Sequence, residues 1–246
     1  MDYLDTKSGY RLAYNAVQGK GPTVIWCGGL KSDMEGSKAL HLQNWAEQTG
    51  HAYIRFDYFG HGESGGEFTQ GTISRWSDDI LQIIDALVDG PVILVGSSMG
   101  GWVSLLAAIA RPETVKSLIL INPAPDFTEK LILPEWSAAQ RAAMDKDGVV
   151  YVPSDYGEPY AYSKALMDDG RKRQILDAPI PFDGSVRILQ GMDDSVVPWQ
   201  YSRKIMDVIS SPDARYTLVK DGDHSLSREL DLALLTLTLN DIITDA

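Results

Sequence analysis

The chain contains a single cysteine, Cys27, in 246 residues. An internal disulfide is therefore excluded, as is a metal site built on a cysteine cluster. A lone thiol fits a reducing compartment. Basic residues are scarce as well: 22 lysines and arginines stand against 34 aspartates and glutamates, for a formal net charge of −12. A surface of that sign repels phosphate, so nucleic acid is not expected as a partner and neither is anionic lipid. No apolar run reaches the ~18 residues that a membrane span requires. The opening stretch MDYLDTKSGY carries two aspartates and no apolar block, unlike a secretory signal or an Arg-rich transit peptide. A cytosolic (cytoplasmic) location is the expectation that follows. No phosphate-binding or dinucleotide fingerprint stands out, so no cofactor is expected.

What is present is enough for a large core. Hydrophobic residues make up 44% of the chain and charged residues 23%, which suits one globular domain spanning residues 1–246. Short apolar runs predict strands at Arg11–Val17, Thr23–Trp26, Tyr53–Phe56, Val92–Val95, Ser117–Ile121, Val186–Gln190 and Tyr216–Val219. Helical spacing lies between several of them, at Ser37–Thr49, Thr72–Leu87, Met99–Ala110 and Tyr201–Val208, with a last helix at Ser227–Ile243. Strands alternating with helices imply βαβ units and a mostly parallel sheet. Residues 123–183 break this rhythm. They hold helical patches near Glu135–Met144 and Tyr160–Leu176 among loops rich in Pro, Gly and Tyr, and are expected to form a cap inserted into the domain.

The stretch Gly96-Ser97-Ser98-Met99-Gly100 fits G-x-S-x-G with Ser98 at its centre. It follows an apolar strand and opens a small-residue helix, the context that a nucleophile elbow requires. The turn is so sharp that its flanking positions cannot carry Cβ atoms, and the serine hydroxyl is lifted above the sheet. A serine needs a base, which in this arrangement follows the acid in chain order. Of His41, His51, His61 and His224, only His224 lies beyond Ser98. The acid is expected after the strand Val186–Gln190, where Asp193 and Asp194 compete. An oxyanion needs two donors, one beside the nucleophile and one from an early loop. The N–H groups of Met99 and of Leu30, in Cys27-Gly28-Gly29-Leu30, are the candidates. Asp57, His61 and Glu63 share one loop, but its glycines and aromatic residues suit an irregular turn near the pocket better than a metal site. Cys27 lacks an elbow and an obvious base and is expected to be a buried structural residue.

With these residues placed, the chain resembles the serine α/β-hydrolases, and within them the mitochondrial branch of palmitoyl-protein thioesterases and acyl-glucuronide esterases. The resemblance is carried by Gly36-Ser37-Lys38-Ala39, Ile54-Arg55-Phe56-Asp57-Tyr58, Val95-Gly96-Ser97-Ser98-Met99-Gly100-Gly101-Trp102, Ala108-Ile109-Ala110-Arg111-Pro112-Glu113, Val197-Pro198-Trp199-Gln200 and Asp223-His224. The G-x-x-D-x-x-V-P pattern of these proteins selects Asp194 over Asp193. The resemblance implies the α/β-hydrolase fold, a mostly parallel central sheet with helices on both faces and a small, mostly helical cap. It further implies hydrolysis of carboxylic esters or thioesters through an acyl-serine, with Ser98, Asp194 and His224 as the triad and a small molecule or an acylated protein as substrate. An aminopeptidase or C–C bond hydrolase would use the same triad, and a non-catalytic binding module could be built on the same fold.

Overall fold

The structure is a computed structural model that describes residues 1–154 and 157–244. Among these residues the strands are β1 Asp2–Asp5, β2 Arg11–Val17, β3 Lys20–Cys27, β4 His51–Phe56, β5 Val92–Ser97, β6 Val115–Ile121, β7 Val149–Ser154, β8 Gly157–Ser163, β9 Ser185–Gly191 and β10 Ala214–Val219. Eight of them form one sheet in the order β1-β2-β4-β3-β5-β6-β9-β10. The pairs β1·β2 and β2·β4 are antiparallel, and every later pair is parallel.

Side-chain alternation explains why the central strands read as continuous apolar runs. Val92 and Leu94 of β5 enter one core, while Ile93 and Val95 enter the other. In β6, Leu118 and Leu120 face the first core and Ile119 and Ile121 the second. A strand covered on both faces has no polar side to show. Each fully buried aliphatic side chain contributes about 1.5–3 kcal/mol. The helices α2 (Ile73–Leu87) and α3 (Met99–Ala110) close the first face. The helix α1 (Ser37–Thr49) and the terminal helix Glu229–Thr244 close the second. Local chemistry sets their ends. Thr72 caps α2 by accepting a bond from the Arg75 amide, and Gly50 ends α1 at φ 74°, a left-handed position that glycine takes without cost.

Between β6 and β9 the chain forms the helix Ala138–Asp147, the hairpin β7·β8 and the helix Lys164–Lys172. Its regular structure is mainly helical, but the sequence patterns did not suggest the hairpin, and Tyr160–Ser163 lies in β8 rather than in a helix. Aromatic and β-branched residues meet across the two strands, with Val150 opposite Tyr162 and Val152 opposite Tyr160. Such cross-strand pairs override weak helical spacing. Ser163 ends the strand and caps the next helix through the Leu166 amide.

This segment is fastened at several points. Asp126, fully buried and held at φ 58°, accepts bonds from the amides of Ile175 (2.8 Å) and Leu176 (3.0 Å). Ser74, at the start of α2, donates from its amide and hydroxyl to the Asp169 carboxylate, both at 2.7 Å. Trp102 donates its indole N–H to the Arg173 carbonyl (3.2 Å).

The loop after β4 is held as firmly. Asp57 accepts bonds from the amides of Met34 (2.7 Å) and Glu63 (2.9 Å). His61, only 4% exposed, has both ring nitrogens bonded to backbone. Its Nδ1 faces the Phe59 carbonyl (3.1 Å) and so carries the proton, while Nε2 accepts from the Lys31 amide (3.0 Å). Burial pushes His61 down to about 4. Its stabilising contribution is therefore complete above the unfolded histidine value of about 6.5 and is lost as pH falls toward 4. In urea unfolding, the wild type should lose on the order of 3 kcal/mol between pH 7 and pH 4 relative to His61→Gln, whose amide cannot titrate. A gap that does not change with pH would mean that the fold does not hold His61 neutral.

Candidate active site

The site grows from the junction of β5 and α3. Ser98 sits there at φ 55° and ψ −119°, a conformation costly for any side-chain-bearing residue and kept only where the surroundings impose it. The surroundings do so by close approach. A Cβ on Gly100 would lie 2.0 Å from the Cys27 carbonyl oxygen, and one on Gly96 would lie 2.5 Å from that of Gly100. Backbone bonds complete the turn. The Ser98 amide donates to Ile121 O (2.9 Å), and Ser98 O accepts from the amides of Gly101 (3.0 Å) and Ala124 (3.1 Å). Met99 begins α3, so its amide lies in the helix's first turn, where negative charge is favoured.

The structure brings Ser98, His224 and Asp194 together. His224 Nε2 is 3.1 Å from Ser98 Oγ, and Nδ1 is 2.8 Å from Asp194 Oδ2. A carboxylate only accepts, so Nδ1 carries the proton and Nε2 is left to accept from the serine hydroxyl. The other Asp194 oxygen accepts from the amides of Val196 and Val197, both at 2.8 Å. The buried Gln190 donates to Val197 O (3.0 Å) and faces Asp194 Oδ2 at 3.5 Å. The neighbouring Asp193 is exposed, with its amide bonded to Gly222 O. Ser97 is buried at the end of β5.

The loop after β3 packs on the same point. A Cβ on Gly29 would sit 3.5 Å from the Ser98 Cβ. Ser32 donates twice to Gly29 O, from its hydroxyl (2.8 Å) and its amide (3.2 Å), which bends the loop around Leu30 and Lys31. Lys31 takes a left-handed φ of 61°, and its amide is the one held by His61. Leu30 is half-buried at the head of this turn. Cys27 is fully buried, and burial pushes its thiol up to about 12, which keeps the sulfur protonated at neutral pH and removes it as a nucleophile.

Sequence reading missed several residues that hold the site. Lys38 donates to the Ser225 carbonyl and to Ser227 Oγ (3.2 Å), so α1 steadies the loop that carries His224. Burial lowers Lys38 to about 8, against the opposing pull of Asp223 and Asp231. The Gly36-Ser37-Lys38-Ala39 motif was the one signal for it. Gln190 carried none, because its contacts with Asp194 and the Val197 carbonyl form only when the loop after β9 folds back on it, and His61 was legible only as part of an irregular loop near the pocket.

Residues 22–153, just over half the chain, match the family described as "Serine aminopeptidase, S33". The chain is 39% identical to the mitochondrial palmitoyl-protein thioesterase ABHD10 of Mus musculus, over 99% of this chain and 82% of that protein. A structure from Agrobacterium vitis S4, provisionally called a hydrolase, superposes with a TM-score of 0.93 at 39% identity, over 98% of this chain and 96% of that one. Alpha/beta hydrolase domain-containing protein 10 from mouse gives 0.91 at 38% identity, over 99% and 98%. The names of the mouse, human and bovine relatives are mitochondrial. That overturns the expectation of a cytosolic location, because a single thiol and an acidic opening stretch do not encode a compartment. Fold, matched family and near full-length relatives agree, and the chain belongs to the α/β-hydrolases, among the relatives of the ABHD10 thioesterases.

Proposed function

We propose that this hydrolase cleaves carboxylic esters and thioesters through an acyl-serine, with Ser98 as nucleophile, His224 as base and Asp194 as the acid that orients it. The observation that carries this reading is the unbroken relay from Ser98 Oγ to His224 (3.1 Å) and on to Asp194 (2.8 Å). The 39% identity to a palmitoyl-protein thioesterase over nearly the whole chain supports the same reaction class.

The geometry translates into steps. His224 Nε2 takes the Ser98 proton as Oγ attacks the acyl carbon. Asp194 stabilises the imidazolium that forms. The N–H groups of Leu30 and Met99 receive the oxyanion, each worth ~3 kcal/mol of barrier. The imidazolium then protonates the departing alkoxide or thiolate. Water, deprotonated by the same histidine, attacks the acyl-serine and releases the acid. No step calls on a cofactor.

Residues 123–183 act in this reading as the cap that selects the acyl group. Phe127, Trp136, Tyr162, Leu166 and Met167 bury against the core beneath it, and Leu131, Ile132 and Leu133 are half-buried beside them. The substrate is a small acyl ester or an acylated protein. Among the described residues no helix is long and apolar enough to cross a membrane.

Hydrolysis of matched acyl esters and thioesters from acetyl to palmitoyl should be lost in Ser98→Ala by roughly 10⁴-fold or more. Rates rising with chain length on thioesters would assign the thioesterase activity. Turnover of aminoacyl amides in preference to every ester would favour a peptidase, the activity named by the matched family. A folded Ser98→Ala that hydrolyses at the wild-type rate would refute the relay.

The two aspartates should separate sharply. Asp194→Asn is expected to lower kcat about 10⁴-fold by favouring the wrong histidine tautomer, and Asp193→Asn to stay within a few-fold of wild type. Equal losses would show that the acid has been misassigned.

A further inference from the structure

Asn122 stands where β6 ends and the segment toward residue 184 begins. Its side chain is fully buried, and its backbone takes a left-handed φ of 44°, a region that asparagine enters more readily than other side-chain-bearing residues. Both donor directions of the amide are used, and its oxygen accepts one bond. Nδ2 donates to two consecutive carbonyls, those of Asp223 (3.0 Å) and His224 (2.7 Å). Oδ1 accepts from the Gly191 amide (2.8 Å). The Asn122 backbone amide donates to Leu189 O (2.9 Å). This pattern also fixes the orientation of the side-chain amide, since two carbonyls require the nitrogen and one N–H requires the oxygen.

These partners belong to the two loops that must stay in register with Ser98. Gly191 ends the strand from which the Asp194 loop departs, and the Asp223 and His224 carbonyls are the backbone of the base itself. The preceding residue, Ile121, accepts from the Ser98 amide at 2.9 Å. Residues 121 and 122 are thus a seam that touches the nucleophile turn, the acid strand and the base loop. The two loops also press directly on each other, with the Asp193 amide on Gly222 O at 2.9 Å and no room for a Cβ on Gly191, which would lie 2.3 Å from Gly222 O. The two bonds from Asn122 hold the backbone of the base loop beside that contact, and Lys38 holds the same loop further along at the Ser225 carbonyl. A displacement of about 1 Å in a reacting group costs roughly 100-fold in rate.

We propose that Asn122 is a positioning residue for hydrolysis: its amide sets the position of His224 relative to both Ser98 and Asp194. The inference rests on the triad proposed above. Its partners lie 69, 101 and 102 residues away in the chain, and the bonds act through the backbone, so Asn122 touches no reacting atom.

The test uses the full chain with two variants and the most active acyl ester of the series, with rates expressed per mole of folded enzyme. Asn122→Gly tolerates the left-handed backbone and removes all three side-chain bonds. Asn122→Asp keeps shape and backbone preference but turns the donor toward two carbonyls into an acceptor. In both, kcat should fall by roughly tenfold or more while KM stays within about twofold. In Asn122→Gly, which adds no charge, the acid limb of the kcat/KM profile should move to lower pH, because Asp194 supports the imidazolium of a displaced His224 less. If Asn122→Gly does not fold, Asn122→Asp still reads the fall in kcat at unchanged KM. Wild-type kcat in either folded variant, or an unmoved acid limb in folded Asn122→Gly, overturns the proposal. So does a raised KM at unchanged kcat, which would place Asn122 in substrate binding. Ser98→Ala measured alongside keeps the two readings apart. If that variant is inactive while the Asn122 variants behave as wild type, only the positioning role fails. If it retains activity, the triad itself fails.

Discussion

The tightest constraint in this molecule is steric: the backbone of the Ser98 turn passes against the end of β3. A single methyl-sized addition at Gly100 would sit 2.0 Å from the Cys27 carbonyl oxygen, a distance that no relaxation of a packed interior absorbs. Everything chemical follows from that closeness. It brings the Gly28-Gly29-Leu30 loop beside the serine and raises Ser98 into its left-handed conformation. It also leaves the start of α3 aimed at the same spot. The strain in one residue is offset by cores on both faces of β5, in which Val92, Ile93, Leu94 and Val95 are all completely buried.

Electrostatics then order the three loops above the sheet. Asp194 is surrounded by donors: two amides on one oxygen, and on the other His224 with the amide of Gln190 nearby. A carboxylate so held has one orientation, and it passes that orientation to the imidazole. Lys38 and His61 act one layer further out. Lys38 binds the Ser225 carbonyl and the Ser227 hydroxyl on the loop that carries His224, and His61 binds the backbone of the loop after β3. Charge and hydrogen bonding here serve geometry more than stability.

How much of this was legible in sequence depended on the range of the interaction. Helices α1 and α3 were read with the boundaries they have, because apolar spacing and a closing Gly50 are local signals. That Ser98 and His224 would meet was legible from motif and chain order, and the two side chains lie 3.1 Å apart. Strand β1 was not, since Asp2–Asp5 is a short, largely exposed edge that forms by pairing with β2 and buries only Leu4 in part against the core. The hairpin β7·β8 was hidden for a similar reason. Its prolines, Pro153 and Pro159, argue locally against strands, and its stability comes from pairs such as Val150 with Tyr162 that no single window contains. The site's supporting residues lay furthest out of reach. An asparagine at a strand end carries no mark of three partners that only the fold delivers.

Asp126 has a consequence beyond local stability. By binding the amides of Ile175 and Leu176, it draws the start and finish of a long excursion to one neck. A ring of chain closed at its neck can lengthen, shorten or change composition while the strand ends it springs from stay in place. None of Ser98, Asp194 and His224 lies within that ring. The chain thus divides its labour along its length, with the proposed triad written in one set of stretches and its proposed covering in another, so that each can drift through evolution at its own pace.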